Sequence, residues 1–483
     1  MEPAARGQIW QRLRPGPVTL QPIQPPMNSS SNTPHPVYGF LVALVAALGA
    51  FIFGYDLSLM AGANTIMRQQ FNLSEAEFAF ATSSGVLGCV AGPFLGAWLC
   101  DRFGRKKSLI FASLLLAVNA IFTALAPNMW VFNFFRILGG VGCGICSVAS
   151  PMYIAEISSP KSRGAMGLMY QVAVVIGALS AGLACYFLAL LLPDSVSWRW
   201  MFFSQMVAIV CFVGLLFPMP ESPRWLAEEG RDEEAGAVLA RIGGEDFARQ
   251  EMTGIRASLQ QEEGGWREFW APGMRSALLV GLLLAFFNNF TGWSGIAMYL
   301  PTLFKIGGFP DTADAIMQFV VAYAFMGAVT IGSMFVVDRW GRRPLWNVAS
   351  VGMCVAMFLA GLVFQYHIKG YAVLAVVMLC AIPHALALGG LPWLMIPEIY
   401  PTRIRAKAVS AIVTFLWLTI FLASTIFPLM MSWSRSLVGT EAAAFWVFSG
   451  ISLLSLLFGK TLLPETRGRT LEEIGDNWLR RGH

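Results

Sequence analysis

Asp56 is the one charge in the stretch FIFGYDLSLMAGA (residues 51–63), which ends a long apolar run beginning near Val37. A carboxylate in hydrocarbon costs about 3 kcal/mol or more unless it is paired, hydrated or protonated. Farther along, Arg136 interrupts a second apolar run, MWVFNFFRILGG (129–140). Entering the first run at Val37 puts Asp56 roughly 28 Å along a helix, and Arg136 stands roughly 10 Å into a run of opposite direction. The two charges therefore reach a similar depth. Arginine keeps its proton, so the aspartate is the partner able to change state. Two chemistries are open at this point: a fixed ion pair that ties two helices together, or a proton switch.

Further charges come in ordered groups: Asp101, Arg102 and Arg105 in DRFGRKK, Glu156 and Arg163 in EISSPKSRG, and Glu221 and Arg224 in PESPRWL. The order returns at nearly constant spacing with Asp338, Arg339 and Arg342 in DRWGRRP, Glu398 and Arg405 in EIYPTRIRA, and Glu465 and Arg467 in PETRGRTL. Interfacial anchoring accounts for single charges at helix ends. It does not account for acids and bases repeating in matched order, which instead suits charge-assisted pairs that can exchange. Gly104 and Gly341 suit tight turns inside these loops.

These residues must be carried by membrane helices. Of 483 residues, 56% are hydrophobic and 13% charged, about half the charge of a soluble domain. Apolar runs long enough to span a bilayer are expected at 37–60, 76–100, 108–127, 129–156, 164–192, 198–218, 272–299, 313–337, 345–367, 371–397, 406–431 and 442–463. The repeated motifs divide them into two six-helix bundles, 37–218 and 272–463, joined by a charged, helix-favouring segment 219–271. Two such halves suit a midplane site between them. Residues 1–36, rich in Pro, Gln and Ser, read as a disordered tail with no cleavable signal, and 464–483 as a second tail. Basic residues concentrate in one set of loops, which places both termini and the linker in the cytoplasm. The expected fold class is an all-α membrane protein of twelve spans.

The eight cysteines lie in or at the ends of spans, so no disulfide framework is expected. Cys143 and Cys146 form a CxxC within GGVGCGICSVAS, where close helix packing explains the composition better than redox or metal chemistry. There is no nucleotide loop, metal cluster or nucleophile constellation, which argues against a primary pump or a membrane enzyme and implies no cofactor and no nucleic-acid partner.

The motifs quoted above, with GAWLCDRFGRKK, VDRWGRRPL, LPWLMIPEIYPTRIRAKA and PETRGRTLEEI, resemble the major facilitator superfamily, and within it the sugar porters, over residues 37–475. The resemblance implies alternating access of a small solute through a monomer in the cell membrane. It also implies that the paired charges latch the inner gate, and that an acid in FGYD resembles the arrangement of proton-coupled symporters. The solute contacts it implies are Gln171, Asn288, Asn289, Ser294, Tyr299, Trp393 and Trp417. Departures stand out. Asn288 and Asn289 replace a glutamine pair, Ser294 replaces an asparagine, Leu416 stands where an amide is usual, and His384 takes an aromatic residue's place. His384 either contacts solute, relays a proton, or bonds a helix carbonyl. A sugar, a polyol or a small organic acid remains open as solute, as does passive uniport or a non-transporting nutrient sensor as function.

Overall fold

A computed structural model describes residues 36–158, 163–259, 274–400 and 402–467; the side chains of Arg163, Asp338 and Arg405 lie outside the described residues, as do the tails expected at 1–36 and 464–483 apart from residues 36 and 464–467. Six long helices make the first half: α1 (Pro36–Gln70), α2 (Glu75–Phe103), α3 (Arg105–Ala124), α4 (Met129–Ile157), α5 (Arg163–Leu191) and α6 (Asp194–Leu216). Three short helices follow, α7 (Pro223–Glu228), α8 (Asp232–Gly243) and α9 (Glu245–Leu259). The second half holds α10 (Met274–Phe290), α11 (Trp293–Met298), α12 (Leu300–Ile306), α13 (Thr312–Trp340), α14 (Arg342–Gln365), α15 (Tyr371–Pro383), α16 (Leu391–Ile399), α17 (Thr402–Val438) and α18 (Ala442–Thr461). Among the described residues eleven spans are long and apolar enough to cross a bilayer; α10, the apolar part of the seventh expected span, is shorter.

Two expected continuous spans are broken. The run 272–299 holds two helices, α10 and α11, because Gly292 takes φ 111°, a left-handed value open chiefly to glycine, and a second break at Tyr299, just before Pro301, separates them from α12. The run 371–397 is split by a π-helical turn, His384–Leu388, closed by the Gly389 N–H on the His384 carbonyl at 2.8 Å. Carbonyls loosened by this turn find a donor: Asn288 Nδ2 on α10 donates to Leu388 O at 2.6 Å and Gly389 O at 3.1 Å. Irregular backbone inside a bilayer persists only where such partners exist. α1 also runs on to Gln70, well past the expected end at 60.

Glycine sets the helix spacing in the first half. A Cβ on Gly88 of α2 would meet the backbone of α4 at Ile137 and Val141, and one on Gly140 of α4 would meet Gly85 and Gly88. Glycines three apart on α2, facing Gly140, thus let two backbones touch, and van der Waals contact, with no hydrophobic drive in lipid, holds them. The halves meet through α2 against α17 and α5 against α13.

Candidate functional site

The Asp56 carboxylate lies at the centre of the first half, fully buried. Arg136 Nη1 donates to its Oδ1 at 2.7 Å, with 1% of the arginine exposed. Asn119 Nδ2 on α3 donates to the same oxygen at 3.0 Å, and Thr123 Oγ1 steadies Asn119 by donating to its Oδ1 at 2.9 Å. Among the described residues the other oxygen, Oδ2, receives only the thiol of Cys143 at 3.6 Å. Oδ1 therefore carries two strong donors and Oδ2 one weak one, which leaves Oδ2 as the place where a proton can attach without displacing Arg136. The Arg136 guanidinium rests over the Phe202 ring of α6 at 5.4 Å. It occupies the space that a side chain at Gly85 would need: a Cβ there would stand 2.7 Å from Nη2. Asn119, Phe202 and Gly85 are absent from the sequence reading, which took Cys143 for a helix-packing residue only; Asn119, an amide inside an apolar run, was the one legible signal.

Cys143 and Cys146 are buried free thiols on the face of α4 that packs against α2, and all eight cysteines are free. The charged motifs form two similar clusters at the end of the bundle that carries the basic loops. In the first half Arg105 bonds Glu156 at 2.7 Å and approaches Glu228 at 3.7 Å. Glu221 accepts from the Arg105 and Lys106 backbone N–H groups at 2.8 and 3.1 Å, and Ser222 Oγ donates to Glu156 at 2.6 Å. In the second half Arg342 meets Glu398 at 3.5 Å, Glu465 accepts from the Arg342 and Arg343 N–H groups at 3.1 and 3.0 Å, and Thr466 Oγ1 donates to Glu398 at 2.7 Å. Glu221 and Glu465 thus satisfy the free N–H groups of a helix start, with Gly104 at φ 90° and Gly341 at φ 88° making the turn. Burial raises the Glu228 carboxyl, opposed by Arg105. Burial works upward on Glu465 too, but the N–H donors of Arg467, Arg342 and Arg343 leave it below the usual carboxylate value. Arg102, Arg339 and Arg467 are exposed, Arg224 reaches Glu228 at 3.3 Å, and the Asp101 carbonyl accepts from Trp225 Nε1 at 3.0 Å.

The solute candidates are dispersed in chemistry. Asn289 donates to Thr419 Oγ1 at 2.9 Å and accepts from Ser294 Oγ at 2.5 Å, and Tyr299 donates to the Ser424 carbonyl at 3.1 Å. With Asn288 on the π turn, these groups are engaged in ties within the second half. Trp417 is fully buried, stands edge-on to Phe53 of α1 at 5.3 Å, and its Nε1 has no partner. His384 stacks on Trp293 at 5.6 Å, and its Nδ1 is also without a partner. No carbonyl holds that nitrogen. Gln171 and Trp393 are half-buried.

At the end opposite the basic loops the halves are joined. Asn64 Nδ2 donates to Met298 O at 2.8 Å, Thr425 Oγ1 to Ser83 Oγ at 2.8 Å, and Arg435 approaches Glu75 at 3.6 Å, while Phe78 and Tyr299 stand 5.4 Å apart.

A family profile described as sugar (and other) transporter matches residues 42–478. The arabinose-proton symporter of Bacillus subtilis is 34% identical over 476 residues, covering 96% of this chain and 99% of that protein. The D-xylose-proton symporter of Escherichia coli K12 is 32% identical, covering 94% and 97%. An inward-open structure of the E. coli xylose transporter superposes with a TM-score of 0.80 at 29% identity, covering 91% of this chain and 100% of that one. The E. coli proton:xylose symporter bound to 6-bromo-6-deoxy-D-glucose gives 0.76 at 30% identity, covering 92% and 99%.

Proposed function

Because this chain belongs to the family of sugar (and other) transporters, we propose that it is a proton-coupled sugar symporter in which Asp56 takes and releases the proton. The observation that carries this reading is the carboxylate itself: it is wholly buried, ion-paired through Oδ1, and almost unengaged at Oδ2. A second pointer is that relatives named as arabinose-proton and D-xylose-proton symporters align along nearly their whole length.

In this reading the basic end faces the cytoplasm, with both termini, and the joined end faces outward across the cell membrane. The monomer is therefore closed to the outside. When the outer contacts part, a proton reaches Oδ2 and neutralises Asp56. The Coulomb attraction that holds α1 to α4 falls, and the halves are freer to rock. A pentose or hexose lies between the halves, near Trp417 and Phe53, where the unengaged Trp417 Nε1 and His384 Nδ1 offer new hydrogen bonds; Gln171 and Trp393 line the same region. Asn288, Asn289, Ser294 and Tyr299 hold the broken seventh span in shape and change partners as it moves. The clusters at Asp101–Arg105, Glu156, Arg163, Glu221–Arg224 and their counterparts at Asp338–Arg342, Glu398, Arg405 and Glu465–Arg467 set the balance between states and do not touch sugar.

The test is Asp56→Asn in proteoliposomes. Accumulation of labelled xylose or arabinose driven by a proton gradient should be lost, while counterflow exchange persists. Accumulation equal to the native protein, or native uptake that ignores a protonophore, would point to passive uniport. Absence of flux with any sugar, alongside ligand-dependent stabilisation, would point to a sensor.

A further inference from the structure

The buried side of α6 carries an amide with no visible task. Gln205 is 0% exposed, and neither its Nε2 nor its Oε1 has a hydrogen-bond partner among the described residues. An unpaired amide in an apolar interior costs on the order of 2 kcal/mol or more, and a native protein seldom leaves one without a reason. Its surroundings supply the reason. Phe202, one helical turn away on the same buried face of α6, is the ring on which the Arg136 guanidinium rests. Ser204, the neighbouring residue, bonds the hydroxyl of Tyr55 at 2.8 Å, and Tyr55 directly precedes Asp56. α6 packs against both α1 and α3, the helices that supply Asp56 and Asn119. Arg136 itself has one unengaged donor, Nε.

The two unengaged groups match. Arg136 stays cationic throughout, so it loses its only ionic acceptor whenever Asp56 takes up a proton. A guanidinium left without an acceptor in hydrocarbon would make that protonation costly. Gln205 Oε1, on a residue one turn along α6 from the ring that carries the guanidinium, is a neutral acceptor with no hydrogen bond of its own among the described residues.

We propose that Gln205 is a positioning residue of the proton switch, the acceptor to which Arg136 turns when Asp56 becomes neutral. It rests on the assignment of Asp56 as proton carrier. The amide stabilises the protonated state without competing in the ionised one, since a carboxylate draws the guanidinium more strongly than a neutral oxygen does. Other titratable groups close to this site, among the described residues, are Arg136, Cys143 and Cys146 from α4, Cys89 from α2 against Cys143, and from α5 Tyr170 near those thiols and Cys185 beside Tyr55; α3 and α6 present only uncharged groups there.

The experiment compares Gln205→Leu and Gln205→Glu with the native protein in proteoliposomes. It measures xylose or arabinose uptake against external pH with the lumen held alkaline, pH-clamped counterflow, and the melting midpoint. Gln205→Leu should need about tenfold more protons for half-maximal uptake, a shift of one pH unit to the acid side, because one hydrogen bond to a charged group is lost. Counterflow should persist and the melting midpoint should hold or rise, since two unpaired polar atoms leave the core. Gln205→Glu, which keeps the acceptor, should not shift to the acid side. An unmoved pH midpoint in Gln205→Leu, beside a clear pH dependence in the native protein, overturns this inference alone. So does a fall in melting midpoint with uptake and counterflow reduced alike at every pH, the mark of a structural role. Native uptake indifferent to pH overturns the assignment of Asp56 and this inference with it.

Discussion

Replacing Asn119 with leucine tests how the site sets its proton affinity. The substitution keeps the branching and heavy-atom count of the side chain. Methyl groups are bulkier than an amide's oxygen and nitrogen, and Asn119 lies close against Gly139, so a control for folding is needed. It removes one donor to Asp56 Oδ1, the 3.0 Å bond from Nδ2, and leaves the 2.7 Å bond from Arg136 intact. Thr123 Oγ1 loses its acceptor but sits one turn along α3 and can bond a carbonyl of its own helix, so the loss falls chiefly on the carboxylate. A hydrogen bond to a charged group contributes about 1.5–3 kcal/mol, and it acts on the ionised form alone. Removing it favours the protonated form by the same amount, about one to two pH units at roughly 1.4 kcal/mol per unit. Half-maximal proton-driven uptake should therefore move to higher external pH, opposite in sign to Gln205→Leu. The assay is initial uptake of labelled sugar across external pH with a fixed alkaline lumen, with counterflow as the control for folding. A shift to lower pH, or none, would refute the premise that Asn119 supports the ionised carboxylate.

Gly85→Ala should lower proton-driven uptake and the melting temperature together, by roughly 1–3 kcal/mol of overpacking, because its Cβ would stand 2.7 Å from Arg136 Nη2; native values in both assays would show that the guanidinium has slack. Arg435→Ala removes an ion pair between the halves at the end opposite the basic loops, where Arg435 is 43% exposed, so it should favour the outward-open state by at most about 1 kcal/mol. That would appear as faster thiol labelling of a cysteine placed at Ser83, up to about fivefold, and unchanged labelling would exclude Arg435 as a latch. Glu465→Gln should lower the melting temperature at neutral pH. A carboxyl held below 4.5 in the folded state contributes stability above that pH and loses it as pH falls through the folded value. The gap between variant and native protein should therefore close below about pH 4.5 and persist at pH 7; a gap independent of pH would assign the effect to packing.

Particular residues show how far sequence carried the fold and the site. Asp56 and Arg136 stood out alone because charge inside an apolar run is costly, and their depths followed from helical rise; the structure places them 2.7 Å apart. The matched loop motifs singled out the charged residues and the expectation that acids would meet bases at helix ends, while the structure supplied the particular pairings, Arg105 with Glu156 and Arg342 with Glu398. The breaks at Gly292 and His384–Leu388 were not legible, because hydropathy continues unbroken through both and only the backbone conformation and the donors from Asn288 mark them.

The sequence by itself determined which segments enter the membrane, that they come as two related halves, and that one acid and one base share a depth. Local composition and helical rise suffice for all three. Only the tertiary structure decided what surrounds that acid: Asn119 and Thr123 on one oxygen's side, a thiol on the other, the Arg136 guanidinium filling the space beside Gly85, and the unpaired amide of Gln205. The physical reason is rotation. Which side of each helix faces its neighbour is set by close contacts between backbones at glycine ridges of α2 and α4, and apolar runs that look alike on every side carry little record of it.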